Sequence, residues 1–471
     1  MSTECKGKQY QFQALESRAV VADFEGGKIT SDGGGLLLRQ LESKRGLLGQ
    51  FAACFVDHRD PELIEHTVEE LVKQRVYGLA LGYEDLNDHD QLREDALLPV
   101  LVGKLDPTGQ QRRRARDRGK ALAGKSTLNR LELTPAGAQR SDRYKKIEVK
   151  EEAVAEFFTD LFLQAHPQAP EMIVLDADAT DDPIHGEQEG RFFHGYYGEY
   201  CYLPLYIFCN GYLLCARLRP SNLDASEGIV AEIQRIVARV RQVWPKVRIL
   251  VRGDSGFARE GLMSWCEAHG VDYLLGLAKN CRLEQAIEAE LEQARQQYQQ
   301  TSQAARRFKD FTYQTRDSWS RQRRVVGKAE YLDKGPNPRF VVTSLSAEAF
   351  EAKTLYEQLY CARGEMENRI KEQQLDLFAD RTSAETLRAN QVRLWFSSVA
   401  YLLLHELRQW ALTGTDLAKA QCGTIRTKLL KIGAQVRISV RRIWVSLASG
   451  FPYEGIFQLA YRTLEVLPLR C

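Results

Sequence analysis

The dipeptide Asn210-Gly211 constrains this chain more tightly than any other short feature. It separates two apolar runs, YLPLYIFC (202–209) and YLLCARLR (212–219), and an Asn-Gly pair tolerates the positive φ angles that a two-residue antiparallel hairpin requires. The surroundings must supply partners for such a hairpin. IVLDAD (173–178) reads as a strand from its β-branched, apolar run. Ile229, Val230, Ile233, Ile236, Val237 and Val240 recur with a helical period. RILVRGDSG (248–256) is a strand ending at an acid, 261–270 is a short helix stopped by Gly270, and DYLLGLA (272–278) is another strand before a helix over about 281–300.

Strand, hairpin pair, helix, strand, helix, strand, helix is an α/β order, and it is that of a ribonuclease H-like core. FKDFTYQTRD, RRVVGKAEYLD and PRFVVTSLS then predict a β-rich insertion over 301–346, interrupting a catalytic domain spanning 169–411. Residues 1–168 read as a mainly helical DNA-binding region, with a turn at GGKITSDGGG (26–35) and a helix over 61–82. Residues 412–471 read as a basic helical region: from Leu417 to Gly450 there is no acid, against Lys419, Arg426, Lys428, Lys431, Arg437, Arg441 and Arg442. No run approaches a membrane span and the start lacks an apolar leader, so the expected place is the cytoplasm, with no membrane partner. The ten cysteines include no C-x-x-C pair and read as scattered, reduced thiols.

RGKALAGKST (118–127) satisfies the phosphate-loop pattern letter for letter. That loop must leave a buried strand, and QQRRRARD (110–117) is too charged to be one. The P-loop ATPase reading therefore stands only as a rival, and no nucleotide cofactor is expected. Eight cations, Arg112, Arg113, Arg114, Arg116, Arg118, Lys120, Lys125 and Arg130, face a single acid, Asp117. That density suits the phosphates of double-stranded DNA.

Three acidic places stand at the ends of core elements. Strand alternation puts Asp176 and Asp178 on one face. Asp254 ends the next long apolar strand. In YCARGEMENRIKEQQ (360–374), about 100° per residue brings Tyr360, Arg363, Glu367, Lys371 and Gln374 to one helical face. Taken singly, each acid reads as a turn cap or a surface ion pair. Together, two strand-end carboxylates and a helical glutamate flanked by phosphate-seeking side chains suit a pair of divalent cations acting on nucleic acid.

These residues resemble the DDE transposases of bacterial insertion sequences, in the branch with a Tyr-x-x-Arg-x-x-x-Glu-x-x-x-x-x-x-Lys signature. LDADATDDPIHGEQEG, YLPLYIF, RGDSGF, RGEMENRIKEQQLDLFADR and IRTKLLKIGAQVRISVRRI are similar in particular to the insertion sequence 1380 family. The resemblance implies a catalytic, metal-binding triad of Asp178, Asp254 and Glu367, with Asp176 as the fallback for the first acid. It implies two Mg²⁺ ions, for which Mn²⁺ can substitute. It also implies terminal inverted repeats and target DNA as partners, hydrolysis at the element ends followed by joining of the 3′-hydroxyls, and a homodimer or higher assembly. Tyr360 and Arg363 match the signature. Its lysine position holds Gln374, so Lys371, one turn earlier, takes the phosphate contact. In relatives the insertion helps hold the transposon end, where Trp319 among Arg316, Arg321, Arg323 and Arg324 would stack on an unpaired base or cover the insertion core. A ribonuclease H-like nuclease without strand transfer, or a non-catalytic DNA-binding remnant, would share these segments.

Overall fold

A computed structural model of the protein describes residues 9–468. Residues 1–8, from the start that reads as lacking an apolar leader, lie outside the described residues, as do 469–471, so Cys5 and Cys471 are not placed. The chain divides into two compact units, one of residues 149–398 and one of 1–148 together with 399–471. Among the described residues no helix is long and apolar enough to cross a membrane, and six of the eight described cysteines are buried.

The unit of 149–398 is a mixed α/β body around one mixed sheet of nine strands. Its centre is Met172–Ala179, flanked in parallel by Arg248–Gly253 and then Asp272–Leu277. On the other side Leu205–Cys209 runs antiparallel to it, followed by Tyr212–Arg217 across the Asn210-Gly211 turn. Both turn residues have positive φ, as that hairpin demands. Helices Ile229–Val243 and Glu260–Ala268 carry the chain between the parallel strands, which explains their helical apolar period. The three strands expected as an insertion do not form a separate body. Arg339–Thr343 pairs with Asp272–Leu277, and Arg323–Leu332 and Ala305–Tyr313 extend the same sheet outward. An open edge left by Asp272–Leu277 would expose unpaired backbone groups, and these strands cover it. Leu250, Leu274, Val326, Val341 and Leu355 form a continuous buried cluster across old and new strands.

The other unit is built from both ends of the chain. Its helices include Gly35–Arg45, Val68–Ala80, Lys125–Glu132 and Glu454–Val466. Val68–Ala80 starts where the residues dictate: Thr67 Oγ1 accepts from the Glu70 amide at 3.2 Å and Glu70 Oε2 accepts from the Thr67 amide at 3.0 Å. The C-terminal region is not purely helical. Ala434–Ile438 and Ile443–Leu447 form an antiparallel hairpin that pairs with Ile29–Thr30. Buried Ala434 and Val436 alternate with exposed Gln435 and Arg437, a period of two that the count of basic residues concealed. The N-terminal and C-terminal regions close on each other at Gly34, where any Cβ would collide with the Leu429 carbonyl oxygen. Lys431 also reaches Asp32 at 2.6 Å.

Candidate active site

Register brings the first two acids together. Gly253 is paired with Ala177 in the parallel ladder, so Asp254 and Asp178 are the next residues along strands spaced about 4.8 Å apart. Asp254 is held by its own turn, its Oδ1 accepting from the Gly256 amide at 2.8 Å. Asp178 Oδ1 accepts from the Ala179 amide at 3.0 Å. The third acid arrives on the helix Gly364–Lys371. This helix is not part of one regular α-helix: a π turn (Leu355–Tyr360) and a 3₁₀ turn (Cys361–Arg363) precede it, and a second π turn (Glu372–Asp376) follows. Wide turns of this kind concentrate at functional sites.

Arg363 joins the acids. One guanidinium nitrogen is 2.5 Å from Glu367 Oε1 and the other is 3.5 Å from Asp178 Oδ2. Burial opposes its charge, but Asp178, Glu367, Tyr360 and Asp254 overcome that and raise its pKa. Asp178 carries the strain of the arrangement. Burial pushes its carboxyl up to about 7, Arg363 pulls it down, and Asp254 and Glu367 push it up again. The phenol of Tyr360 is raised by burial, with Arg363 opposing and Asp254 adding. It closes over Gly276, where a Cβ would lie 2.6 Å from the phenol oxygen and 2.9 Å from the Ser255 amide nitrogen.

Asp176 has a different fate. Arg252, its register partner on the neighbouring strand, grips both of its oxygens at 2.5 and 2.7 Å and also donates to the Leu359 carbonyl. Strand alternation does give it the face of Asp178, but its lone pairs are committed to a buried fork. Asp176 is thus paired with Arg252, whereas Arg363 reaches Asp178 and Glu367 and register sets Asp254 beside Asp178. Arg252 went unnoticed in the sequence, although an arginine inside the apolar run RILVRG was the available signal.

A family model described as transposase DDE domain group 1 matches residues 12–469. The chain belongs to this family. A search of curated proteins finds no match.

Among the described residues of the transposase, no three His, Cys, Asp or Glu side chains are grouped closely enough to hold a metal ion. The donor chemistry of the cluster nonetheless suits a hard divalent cation: it consists of carboxylate oxygens, and a positive guanidinium already sits between two of them. Lys371 is exposed one turn beyond Glu367. Gln374, in place of the signature lysine, is a strut whose amide donates to the Asp181 carbonyl at 2.9 Å. Trp319 does not offer a stacking face. It is 5% exposed, with Tyr313 against its edge and Arg323 over its ring. Arg323 is itself buried between Glu260 and Glu267. A tryptophan covering the added strands, the other expectation for this residue, is what the packing shows.

In the transposase's other unit the basic segment surrounds a cavity of about 620 Å³. Arg112, Arg113, Arg114, Arg116 and Lys120 line it together with Arg59, Arg93 and Arg130, against Glu65 and Asp117. Positive charge is in excess there. Burial lowers the Arg130 pKa, and Arg59 and Arg114 lower it further, while burial and then Lys104, Arg112, Arg59 and Arg93 push His66 down to about 3. Arg118 is exposed beside these residues in sequence. Lys125 is exposed too, but its ammonium donates to Asn87 at 3.0 Å and its amide to Asp90 at 3.0 Å. An acid thus occupies the amide that a phosphate loop would offer, and coil rather than a strand precedes the helix Lys125–Glu132.

Proposed function

We propose that this transposase cuts the ends of an insertion sequence related to the insertion sequence 1380 family and joins them to target DNA, using Asp178, Asp254 and Glu367 as its catalytic carboxylates. The observation that carries this reading is that Arg363 bridges Asp178 and Glu367, distant in the chain, while strand register sets Asp254 beside Asp178. Strand order supports it: a hairpin whose inner strand is antiparallel to the central one, and two parallel strands on the other side, is the arrangement of a ribonuclease H-like core.

Asp178, Asp254 and Glu367 would hold Mg²⁺ ions, or Mn²⁺ in their place, and bound ions supply Lewis-acid stabilisation of the entering and leaving oxygens of phosphoryl transfer. The chain's own residues do the rest. Arg363 neutralises Asp178 and Glu367 and presents a planar fork suited to a phosphate. Tyr360, wedged over Gly276, keeps the Glu367 segment against the Asp254 turn. Lys371 contacts the DNA backbone, and the arginine-lined cavity grips the inverted-repeat duplex through phosphates. Two copies of the chain bring two ends together.

The test is incubation with the element's own end DNA and Mg²⁺, comparing wild type with Asp254→Asn on a sequencing gel. Cutting with 3′-end joining by wild type alone supports the reading. Equal cutting by both proteins refutes it, and cutting without joining reduces it to a nuclease.

A further inference from the structure

After Asp178 the chain leaves the sheet and forms a small hairpin, Phe192–His194 against Glu199–Tyr202, turning through residues 195–198. Its base is anchored. Cys201 and Tyr202 are buried, the Tyr202 hydroxyl donates to the Glu189 carbonyl at 2.6 Å, and Ser221 donates to the Phe192 carbonyl at 2.9 Å. Its outer part is a run of aromatic rings in water. Phe193 and Tyr200 are register partners in edge-to-face contact at 5.6 Å, exposed by 58% and 46%. Tyr196 at the tip is 86% exposed, and its ring lies 5.0 Å from that of Tyr197. Tyr197 turns inward, stacking obliquely at 4.8 Å on His194, whose Nδ1 is buried without a partner. Register ties the hairpin to the acids: Asp182 and Pro183, just beyond Asp178 in the chain, pair with Tyr202 and Cys201, and burial and then Asp181, Asp178 and Asp254 push the Tyr197 phenol up to about 12.

What belongs on this shelf follows from its neighbours. Arg191 lies over the Tyr200 ring at 4.4 Å and donates to the Gly186 carbonyl, while Phe193 and Tyr196 leave ring faces in water. A base has a neutral π face, but in a duplex that face is already stacked. We infer that Phe193 and Tyr196 stack unpaired bases of the DNA strand next to the bond being cut, while Tyr197 and His194 set the distance of that strand from the carboxylates. This rests on the proposed catalytic role of Asp178 and Asp254, and it gives to an open hairpin the function that the buried Trp319 does not perform.

The experiment uses the full chain carrying Glu367→Gln, which prevents cutting, and two DNAs: a blunt duplex, and the same duplex with a short unpaired tail bearing 2-aminopurine. Binding quenches the tail fluorophore, and the tailed DNA binds about tenfold more tightly than the blunt one, the worth of one base–aromatic stack. Phe193→Ala with Tyr196→Ala removes both the quenching and the preference, while Tyr196→Phe keeps them because the ring remains. Equal affinity for the two DNAs, or quenching that survives the double alanine change, overturns the inference. So does a change of oligomeric state in the alanine variant with tail preference intact, which would make the hairpin a protein interface. If tail stacking is found but Asp254→Asn still cuts an ordinary end, the catalytic reading fails on its own.

Discussion

The acid cluster around Arg363 and the arginine-lined cavity around His66 are opposite solutions to one problem. Each gathers like charges that repel, and each retains a minority of the other sign. In the unit of 149–398 carboxylates predominate and the guanidinium of Arg363 bridges Asp178 and Glu367. In the other unit cations predominate, and Glu65 and Asp117 tie down Arg112 and Arg93 at 3.3 and 2.9 Å. On the proposed function, cations complete the first and phosphates the second. Neither site optimises the stability of the unliganded chain, which is usual where function needs charge held in reserve.

The contrast is broken most severely by removing a carboxylate. Asp178→Asn keeps shape and loses charge, and DNA-end cleavage falls by more than about 100-fold, measured as initial rate on end DNA. Asp176→Asn, only two residues away, acts on stability instead. It leaves Arg252 buried with half its partner gone, and denaturant unfolding shows a loss of about 3 kcal/mol. Were the two variants to exchange phenotypes, the assignment of the first catalytic acid would reverse.

In the cavity, Arg114→Ala with Arg116→Ala lowers affinity for duplex DNA without changing sequence preference. The plot of log K against log salt becomes shallower by about one for each phosphate that these arginines no longer neutralise. An unchanged slope would remove this cavity from the DNA-binding surface.

The smallest effects separate the two units by pH. Burial, with Asp380 and Asp181 adding, raises the Asp182 carboxyl well above the ordinary value of 3.8. The folded state then binds more protons than the unfolded one, so stability falls as pH rises above about 4, and Asp182→Asn flattens the decline. In the other unit burial, with Arg75 adding, lowers His89 to about 3 from 6.5. Here the unfolded state binds more protons, so stability rises with pH between about 3 and 6.5 and is lost below that window. Hydrogen exchange followed across pH reads both slopes, in the strand Met172–Ala179 and the helix Val68–Ala80.

Much of the catalytic unit was legible because its signals are local. The Asn210-Gly211 turn, the apolar strands and the period of Ile229–Val243 each follow from residues close in sequence. Asp178, Asp254 and Glu367 could be singled out because each ends or rides an element whose period was readable. What local pattern could not carry was pairing at a distance. The strands Ala305–Tyr313, Arg323–Leu332 and Arg339–Thr343 were visible, but that they continue the central sheet depends on Arg339–Thr343 pairing with Asp272–Leu277, more than sixty residues earlier. Arg252 and Asp176 look like two unrelated charges until register sets them side by side. Trp319 amid arginines resembles a nucleic-acid surface, yet Arg323 is answered by two glutamates from a helix some sixty residues earlier. The basic C-terminal segment was weighed by its charges, while its alternation of buried and exposed residues decided the hairpin.

The bare backbone at Gly276 has a consequence for how this enzyme can vary. Because nothing projects from that point of the strand, a tyrosine from a segment more than eighty residues later can rest its hydroxyl there, against the turn that carries Asp254. One added methyl group would act as a wedge, prising the glutamate-bearing segment from the aspartate-bearing one without touching any acid. A lineage carrying Gly276→Ala would keep all three acidic letters of its name and lose the fit that makes them one instrument.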